Sequence, residues 1–393
     1  MKIVHIITRL VLGGAQENTL ITCRFLAQRG HDVTLVTGPA FGPEGDLFDA
    51  AKEQGYDVKV IDELIRPVRP VPDLAAYRRI KRLLAELKPD VVHTHSAKAG
   101  ILGRYAGYAL KKKSPTAKPA VVHTIHGLAF HPYQSRWLNA FYIAVERAAA
   151  RRTDFFISVA DAMTAQALSA GIGRPEQFRT AYSAIDEQAF LADIPERQKK
   201  AFRAEYGIGD DAIVLVTIAR LFHLKGHDYI IESAKDLAGR FDNVIWLFVG
   251  DGILADRYKK QISELGLADR FRFTGLLQPD KIPLAIQSSD ILVHCSLREG
   301  LARTLPQAML CARPVVSFDV DGAPEVVIPG ETGYLVPPKS VDGLVAAFED
   351  IIEHPDEAAA LAARGRELCR ERFPWQKMVA DLDRIYRRLL GHA

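Results

Sequence analysis

Two cations and one carboxylate stand out in the second half of the chain because each follows a short apolar run. Arg220 and Lys225 come after residues 213–218, and Glu299 comes after residues 291–294. Two neighbouring cations can bind a diphosphate and stabilise it as a leaving group. Solvated surface cations have the same residue types, but a position at the end of a predicted strand favours a binding site.

Glu299 is followed by Gly300, at the start of a segment whose apolar residues recur at helical spacing. A glycine allows a ligand to approach the backbone, and a helix that begins just after it offers N–H groups to an anion. The sequence therefore predicts a site for phosphate and hydroxyl groups, with a helix that starts directly after Gly300.

A second glycine-rich turn lies near the start of the chain, where Gly13 and Gly14 follow the run 3–7. The pattern is not GxGxxG, so the dinucleotide-binding fingerprint is absent. The paired glycines can bring backbone N–H groups against a phosphate or sugar at a helix start. A plain tight turn between strand and helix explains them equally well.

Five histidines cluster in the first half, in the segments VVHTHSAKAG and VVHTIHGLAFHP. His126 precedes a glycine beyond a predicted strand, which suits a hydrogen bond to a sugar hydroxyl. His93 is interpreted as a core strand residue. The HxH spacing of His93 and His95 places both side chains on one face of a strand. No acidic or cysteine ligand lies nearby in sequence, so a zinc site is not expected.

These residues need a scaffold, and the apolar pattern predicts a parallel one. Short β-branched runs alternate with helical patterns, which is typical of a sheet covered by helices on both faces. The predicted strands are residues 3–7, 33–37, 58–61, 91–94, 121–125, 155–159, 213–218, 244–249, 271–274, 291–294, 315–318 and 334–336. Residues 73–87 are expected to form an amphipathic helix.

The length of 393 residues exceeds what one hydrophobic core usually supports. We therefore expect two doubly wound α/β domains, residues 1–186 and 187–374. The final segment, 375–393, has a helical pattern and no strand after it, and we expect it to pack back on the first domain.

Composition is that of an ordinary globular protein. The four cysteines have no CxxC spacing, and no signal peptide or membrane span is recognisable. These features predict a cytoplasmic protein. Residues 1–186 carry a net charge of +8 and the remainder −5, so the first half is expected to attract an anionic surface such as a membrane leaflet, a phospholipid or nucleic acid.

A basic and aromatic stretch in that half has two interpretations. Docking on anionic lipid at the inner face of the cytoplasmic membrane is one, and a core helix beside a solvated lysine loop is the other. The stretch comprises Lys111, Lys112, Lys113, Lys118, Arg136, Trp137, Phe141, Tyr142 and residues 147–152.

Taken together, the motifs resemble those of the retaining glycosyltransferases of family 4, which have the GT-B fold of two Rossmann-like domains facing a cleft. The resemblance covers nearly the whole chain. It rests on GGAQ, HTHSAKAG, VHTIHG, AR-x4-KG, REG-x6-QAM-x2-ARPVV and DGAPEVV. The local forms HTHSAKAGILGR and HGLAFHPYQS are most similar to those of bacterial enzymes that build envelope polysaccharides or lipid-linked glycans.

The resemblance implies a role for each candidate residue. Arg220 and Lys225 would bind the diphosphate of a nucleotide-sugar donor. Gly14, beside Gly13, would approach that diphosphate from the first domain. His126 would contact the donor sugar. Hydroxyl groups of that sugar would be held by Glu299 and by the backbone N–H groups of Gly300, Leu301 and Ala302, and the nucleotide base would lie near Gly250, Leu276 and Leu277.

Position 307 departs from the family pattern, as do Ser183 and Ala184, where the family commonly has Asn-Gly. The second glutamate of the family, which grips the ribose, is replaced here by Gln307. Eight helical residues span about 12 Å, which matches the reach from the donor sugar to the ribose. Glutamine offers one acceptor and one donor group where a carboxylate offers only acceptors. Gln307 is therefore expected either to bind ribose with a weaker grip or to be an ordinary helix residue.

The implied reaction is transfer of a sugar, with retention at the anomeric carbon, to a glycan or lipid-linked acceptor. A UDP-sugar is the expected donor, and no metal or further cofactor is needed, since Arg220, Lys225 and backbone N–H groups can neutralise the leaving group. Nucleic acid, which the charge of the first half alone would allow, is not among the partners that the resemblance implies. Two other functions fit Rossmann-like halves: an NAD-dependent dehydrogenase or sugar-nucleotide epimerase, and a nucleotide-sugar binding protein without activity.

Overall fold

The computed structural model describes residues 1–40, 45–52, 54–114, 116 and 118–392. The chain divides into two compact units. The first comprises Met1–Ile185 together with Trp375–Ala393, and the second comprises Asp186–Pro374.

The first unit contains a parallel sheet with the strand order β3-β2-β1-β4-β5-β6-β7. Its strands are β1 Lys2–Arg9, β2 Asp32–Gly38, β3 Asp57–Val60, β4 Val91–His95, β5 Ala120–Ile125, β6 Phe155–Ser158 and β7 Phe178–Thr180. The helices that connect them are α1 Gly14–Gln28, α2 Phe48–Lys52, α3 Pro70–Leu87, α4 Ala97–Lys111, α5 Arg136–Ala150 and α6 Asp161–Ser169.

The second unit repeats this plan with the order β10-β9-β8-β11-β12-β13. Its strands are β8 Ile213–Ile218, β9 Val244–Val249, β10 Phe271–Gly275, β11 Ile291–His294, β12 Val315–Phe318 and β13 Tyr334–Val336. Its helices are α7 Glu187–Leu191, α8 Glu196–Glu205, α9 His227–Ala238, α10 Ala255–Glu264, α11 Ile282–Gln287, α12 Thr304–Leu310, α13 Val341–Glu353 and α14 Pro355–Arg372.

Helix α15, Trp375–Leu389, belongs to the first unit. Its apolar residues, among them Met378, Leu382 and Tyr386, share a core with α1 and with one face of the first sheet. The opposite face of that sheet packs against α3 and α4. Alternate residues of each buried strand therefore point into two different cores, as expected for a parallel sheet covered on both sides.

In both sheets the chain starts at a central strand, adds two strands on one side of it, and then crosses over to add the remaining strands on the other side. In such sheets ligands bind at the carboxyl ends of the strands where the direction reverses. These positions are the gap between β1 and β4 in the first unit and the gap between β8 and β11 in the second.

The twelve predicted strands are all present, with ends shifted by two residues at most. The fold class predicted from the sequence, two doubly wound α/β domains, is confirmed. Strand β7 was not predicted, because it has only three residues and none of them is buried, so it lacks the apolar signal that identifies a strand.

Candidate active site

The loops that follow β8 and β11 meet at the switch point of the second sheet. The two strands are hydrogen-bonded neighbours, with Leu292 opposite Val216. The Nζ atom of Lys225, in the first loop, donates a hydrogen bond to Oε1 of Glu299, in the second. Two residues selected independently from the sequence, 74 positions apart, are thus in direct contact.

The backbone between Leu224 and Gly226 explains how Lys225 reaches this position. Both residues have positive φ angles, 65° and 78°. A Cβ atom at Gly226 would lie 1.8 Å from the carbonyl oxygen of Cys295, so only glycine permits this close approach. The carbonyl oxygen of Leu224 accepts a hydrogen bond of 2.8 Å from the N–H of Leu297. The loop is therefore fixed against the end of β11.

Glu299 has a strongly perturbed environment, with a side chain that is 22% exposed. Burial by itself would raise its pKa, but Lys225 and a hydrogen bond from His294 outweigh burial and hold the pKa well below its usual range. The Nε2 atom of His294 lies 3.6 Å from Oε1 of Glu299. The backbone N–H of Glu299 donates to Oδ2 of Asp321 at 2.7 Å. Glu299 therefore stays ionised and fixed in place.

Sequence reasoning did not select His294 or Asp321. His294 was assigned to the strand core, yet it is the last residue of β11 and so lies at the binding edge. Asp321 follows β12 at the same edge. A search of the residues at the ends of all central strands would have found both.

Two arginines lie in the same two loops as this pair, Arg220 after β8 and Arg298 after β11. Arg220 is half-buried, and its guanidinium carbon lies 4.9 Å from the ring centroid of Phe222. Burial lowers the pKa of the half-buried Arg298, while Asp321 and Glu299 oppose that effect. The loops after β8 and β11 therefore bring cations and the Glu299 carboxylate to one edge of the sheet, which suits a ligand that carries both phosphates and hydroxyl groups.

The predicted helix start after Gly300 is wrong. Helix α12 begins four residues later, at Thr304, because the backbone at Gly300 is hydrogen-bonded elsewhere: its carbonyl oxygen accepts from the N–H of Gly322 at 3.0 Å. Leu301 and Ala302 are buried loop residues. The spacing argument that assumed eight helical residues between Glu299 and Gln307 therefore does not hold, although Gln307 lies within α12 and is 7% exposed.

The loops after β9 and β10 form the neighbouring part of this edge. The N–H of Gly250 donates to the carbonyl oxygen of Gly275 at 2.9 Å. Gly250 has a φ angle of 138°, and a Cβ atom there would lie 2.2 Å from the carbonyl oxygen of Ala219. Leu276 is exposed directly after β10, and Leu277 is half-buried. The positions expected near the nucleotide base thus lie on adjacent strands beside the loop of Arg220.

The remaining candidates belong to the first unit. Gly13 precedes α1, and Gly14 is its exposed first residue. The helix starts at the switch point, where Oγ1 of Thr8 lies 2.7 Å from Oγ of Ser96 and so joins the ends of β1 and β4. His126 is half-buried, one residue beyond β5.

Several histidines of the first unit lie together, and among the described residues the ligand atoms of His5, His93 and His95 fall within 4.8 Å of one another. The nitrogens of His93 lie 2.5 Å from the hydroxyl of Tyr386 and 2.6 Å from that of Thr124. His5 and His95 are hydrogen-bonded directly to each other. Of the six ring nitrogens of these three residues, only Nε2 of His5 has no hydrogen-bond partner among the described residues. As predicted, His93 is a fully buried core residue.

Two doubly wound domains in one chain are the architecture of the GT-B fold. A solved structure of this kind is Anabaena HepE in complex with UDP and glucose, which has a TM-score of 0.82 and 22% identity, and covers 98% of this chain and 99% of that chain. The family models for Glycosyltransferase Family 4 and for Glycosyl transferases group 1 match residues 12–189 and 198–368. The chain belongs to glycosyltransferase family 4.

Curated relatives match along most of their length. A GDP-mannose-dependent alpha-(1-6)-phosphatidylinositol monomannoside mannosyltransferase of Mycolicibacterium smegmatis is 27% identical over 90% of this chain and 90% of its own. A UDP-Gal:alpha-D-GlcNAc-diphosphoundecaprenol alpha-1,3-galactosyltransferase of Escherichia coli is 25% identical over 88% and 87%.

Proposed function

We propose that this glycosyltransferase moves a hexosyl or N-acetylhexosaminyl group from a nucleotide-sugar to a glycan or lipid-linked acceptor of the bacterial cell envelope, with retention at the anomeric carbon. The contact between Lys225 and Glu299 at the switch point of the second unit carries the proposal. The relatives that act on a phosphatidylinositol mannoside and on a diphosphoundecaprenol-linked sugar support the class of acceptor.

In the proposed complex, Arg220 and Lys225 bind the donor diphosphate. The backbone N–H groups of residues 300–302 and the Glu299 carboxylate bind sugar hydroxyls, for which an ionised carboxylate is a strong acceptor. His126 contacts the donor sugar, and Gly13 and Gly14 contact the diphosphate. The base lies on the loops of Gly250, Leu276 and Leu277, and Gln307 binds the ribose.

These residues act by stabilising the leaving group, the nucleoside diphosphate. The acceptor oxygen forms a bond to the anomeric carbon while the bond from that carbon to the phosphate oxygen breaks. The acceptor proton passes to the departing phosphate. Negative charge grows on the diphosphate as it leaves. Lys225 and Arg220 stabilise this charge, so no metal ion is required.

Exchange of Lys225 tests this mechanism. Lys225→Ala should lower kcat by about 10²–10³-fold, the effect of removing one preorganised charge donor, in a protein that is less stable but still folded. Lys235→Ala is the matched control, because Lys235 is exposed in the last turn of α9. Release of the nucleoside diphosphate from a sugar donor is the assay. Near-normal turnover by Lys225→Ala would refute the assignment.

We further propose that the donor is a UDP-sugar. UDP and UDP-glucose occur in solved HepE structures that share the fold, whereas the mannosyltransferase relatives are GDP-mannose-dependent. A thermal-shift panel of UDP-, GDP- and ADP-sugars should show the largest stabilisation with a UDP-sugar, since stabilisation grows with affinity. A larger shift with GDP-sugars would contradict the choice of nucleotide and leave the transferase function intact.

The alternative functions make different predictions in the same screen. An NAD-dependent dehydrogenase or epimerase would change the absorbance of NAD, and a binding protein would bind a sugar donor without turnover. The family match supports neither, and the first unit lacks the GxGxxG fingerprint.

The basic and aromatic stretch is divided by the fold. Lys111 and Lys118 precede β5 at the amino edge of the first sheet, where they pair with Asp154 at 2.5 Å and Asp90 at 2.7 Å. Trp137 and Phe141 lie near the start of α5, which follows β5 and so begins at the carboxyl edge. The predicted stretch is therefore not one surface.

The aromatic part remains as a proposed peripheral contact with the membrane. Trp137 is 88% exposed and Phe141 is 58% exposed. None of the helices within the described residues has the length and apolar content that a bilayer-spanning segment needs. An amphipathic helix start with exposed aromatic rings and an adjacent Arg136 suits the interfacial region of an anionic leaflet.

Sedimentation with vesicles of phosphatidylcholine and phosphatidylglycerol tests this contact. Joint replacement of Trp137 and Phe141 by serine should release the protein from the vesicles. Leu265→Ser, at an exposed apolar residue of the second unit, is the control. Equal sedimentation of the two variants, or indifference of the wild type to anionic lipid, would refute the proposal.

A further inference from the structure

His294, the last residue of β11, lies between the Glu299 carboxylate and the neighbouring strand β12. Its Nε2 atom lies 3.6 Å from Oε1 of Glu299, and its Nδ1 atom lies 3.5 Å from Oγ of Ser317, the residue opposite it on β12. The His294 side chain is only 6% exposed. The Nζ atom of Lys225 contacts the same carboxylate oxygen at a shorter distance. One oxygen of Glu299 therefore faces both a lysine and a histidine.

The hydrogen bonds of Ser317 determine what His294 must offer on its other side. The Ser317 hydroxyl donates to the carbonyl oxygen of Phe318 at 3.0 Å. Because a hydroxyl group has a single proton, its oxygen can only accept from Nδ1 of His294. The ionised carboxylate of Glu299 likewise only accepts. Both ring nitrogens of His294 thus face acceptors, and only the charged ring, with an N–H on each nitrogen, can donate to both.

In the free protein a second positive charge beside Glu299 is opposed. Lys225 already neutralises the carboxylate, and like charge disfavours the protonated form of a nearby imidazole. The other buried histidine near His294 is His227 of α9, and burial lowers its pKa to about 3. The elements β8, β12 and α12, which also pack against β11, carry no titratable side chain. The charge of the His294 ring is therefore governed by Lys225 and Glu299.

Binding of the donor changes this balance. In the proposed complex the diphosphate brings negative charge and engages Lys225. The Glu299 carboxylate then loses its neutralising partner at a largely buried position, and an uncompensated buried charge is costly. Arg298 and Asp321, in the loops that follow β11 and β12, carry opposite charges and offset each other. A protonated His294 restores neutrality beside the carboxylate.

We infer that His294 is a positioning residue that takes up a proton from solvent when the donor binds and, in its charged form, holds the Glu299 carboxylate against the sugar while Lys225 engages the diphosphate. The inference deepens the proposed function, since it rests on Lys225 and Glu299 as residues that bind the donor. One proton leaves the solvent and the ring gains an N–H, and no other bond changes. Because binding consumes a proton, donor affinity should fall as the pH rises.

Isothermal titration calorimetry of the full chain tests this coupling. The probes are UDP-glucose and GDP-mannose, whose diphosphates have no group that titrates near neutral pH. Heats of binding in buffers of different ionisation enthalpy should show uptake of a proton at pH 7.5. The dissociation constant should rise by up to about tenfold per pH unit above neutrality. Binding without proton uptake, or an affinity that is independent of pH, would overturn the inference.

Three variants identify the histidine that takes up the proton. His294→Gln keeps an N–H donor without a titratable group. It should bind the donor about tenfold more weakly than the wild type below neutral pH and converge with it as the pH rises, with no proton uptake. The controls are His223→Gln, at an exposed residue of the loop that carries Lys225, and His227→Phe, at a buried residue packed on aromatic rings. Both should retain the uptake. Its loss in either control, or its retention in His294→Gln, would overturn the inference.

Ser317→Ala is a further variant, which keeps the inference testable if His294→Gln does not fold. It removes the acceptor at Nδ1 and leaves the imidazole in place. Proton uptake at pH 7.5 should therefore decrease while the donor still binds. Uptake equal to that of the wild type would overturn the assignment to His294.

Kinetics distinguish this inference from the proposed function. Sugar transfer with donor binding that takes up no proton would refute the role of His294 alone. Normal turnover in Lys225→Ala, together with proton uptake that is lost in His294→Gln, would instead refute the proposed mechanism and leave the proton uptake valid. Binding of neither sugar nucleotide would overturn both.

Discussion

Replacement of Gly226 by alanine offers a sharp test of how the site is built. Gly226 has a φ angle of 78°, and an added Cβ would lie 1.8 Å from the carbonyl oxygen of Cys295. Because contacts shorter than 3.0 Å essentially never occur at a Cβ atom, the loop must retreat from β11 by roughly 1.2 Å. Lys225 is the preceding residue and would move with it, away from Glu299.

Two costs follow, and they can be measured separately. A left-handed conformation costs a residue with a side chain about 1–2 kcal/mol of stability. A displacement of about 1 Å at the reacting centre can cost about 10²-fold in turnover. We therefore expect Gly226→Ala to lose stability moderately and kcat strongly.

Gly266→Ala is the matched control. Its φ angle is 71°, but nothing lies within 4 Å of an added Cβ. It should lose about 1–2 kcal/mol of unfolding free energy to the left-handed conformation and retain wild-type turnover. Denaturant unfolding measures the stability of each variant, and release of nucleoside diphosphate measures its kcat. If both variants keep normal kcat, the close contact of the loop with β11 does not position Lys225 for catalysis, and the reasoning is refuted.

Other perturbations address the remaining contacts. Gln307→Glu should keep or improve donor affinity, and a large rise in donor KM would contradict a ribose contact. Lys225→Met should lower the free energy of unfolding most near pH 7. The depressed pKa of Glu299 contributes stability at pH values above its ordinary pKa of 4.5, and this contribution is lost as the pH falls. A deficit in unfolding free energy that grows as the pH falls would refute the ion pair. Tyr386→Phe should cost about 1–3 kcal/mol, as expected for an unpaired buried nitrogen at His93; unchanged unfolding would refute that.

Much of the fold could be predicted from local patterns. Strand β9 is a wholly buried run of apolar residues, and β11 is one except for His294 at its end. The alternation of such strands with helices identifies a parallel doubly wound sheet. The start of α12 could not be predicted this way. The bonds from Gly300 to Gly322 and from Glu299 to Asp321 join loops 22 residues apart and override the helical spacing of the intervening segment.

Part of the candidate site could be predicted from the sequence for the same reason. Arg220, Lys225 and Glu299 could be selected because each follows a strand, and the carboxyl ends of parallel strands share one edge. The partnership of His5 with His95 required the order of the strands, since β1 and β4 are neighbours only after a crossover. His5 stands opposite His93 in that register, a relation that sequence spacing alone does not contain.

The return of α15 to the first unit bears on how the protein is made. Trp375 stacks on Phe25 with ring centroids 3.5 Å apart, His31 pairs with Asp383 at 3.0 Å, and Tyr386 closes the hydrogen bond to His93. During synthesis from the amino end, the second unit has all its strands and helices before α15 leaves the ribosome. The first unit, although translated earlier, is completed last, and until then the core face that α15 covers is exposed to water.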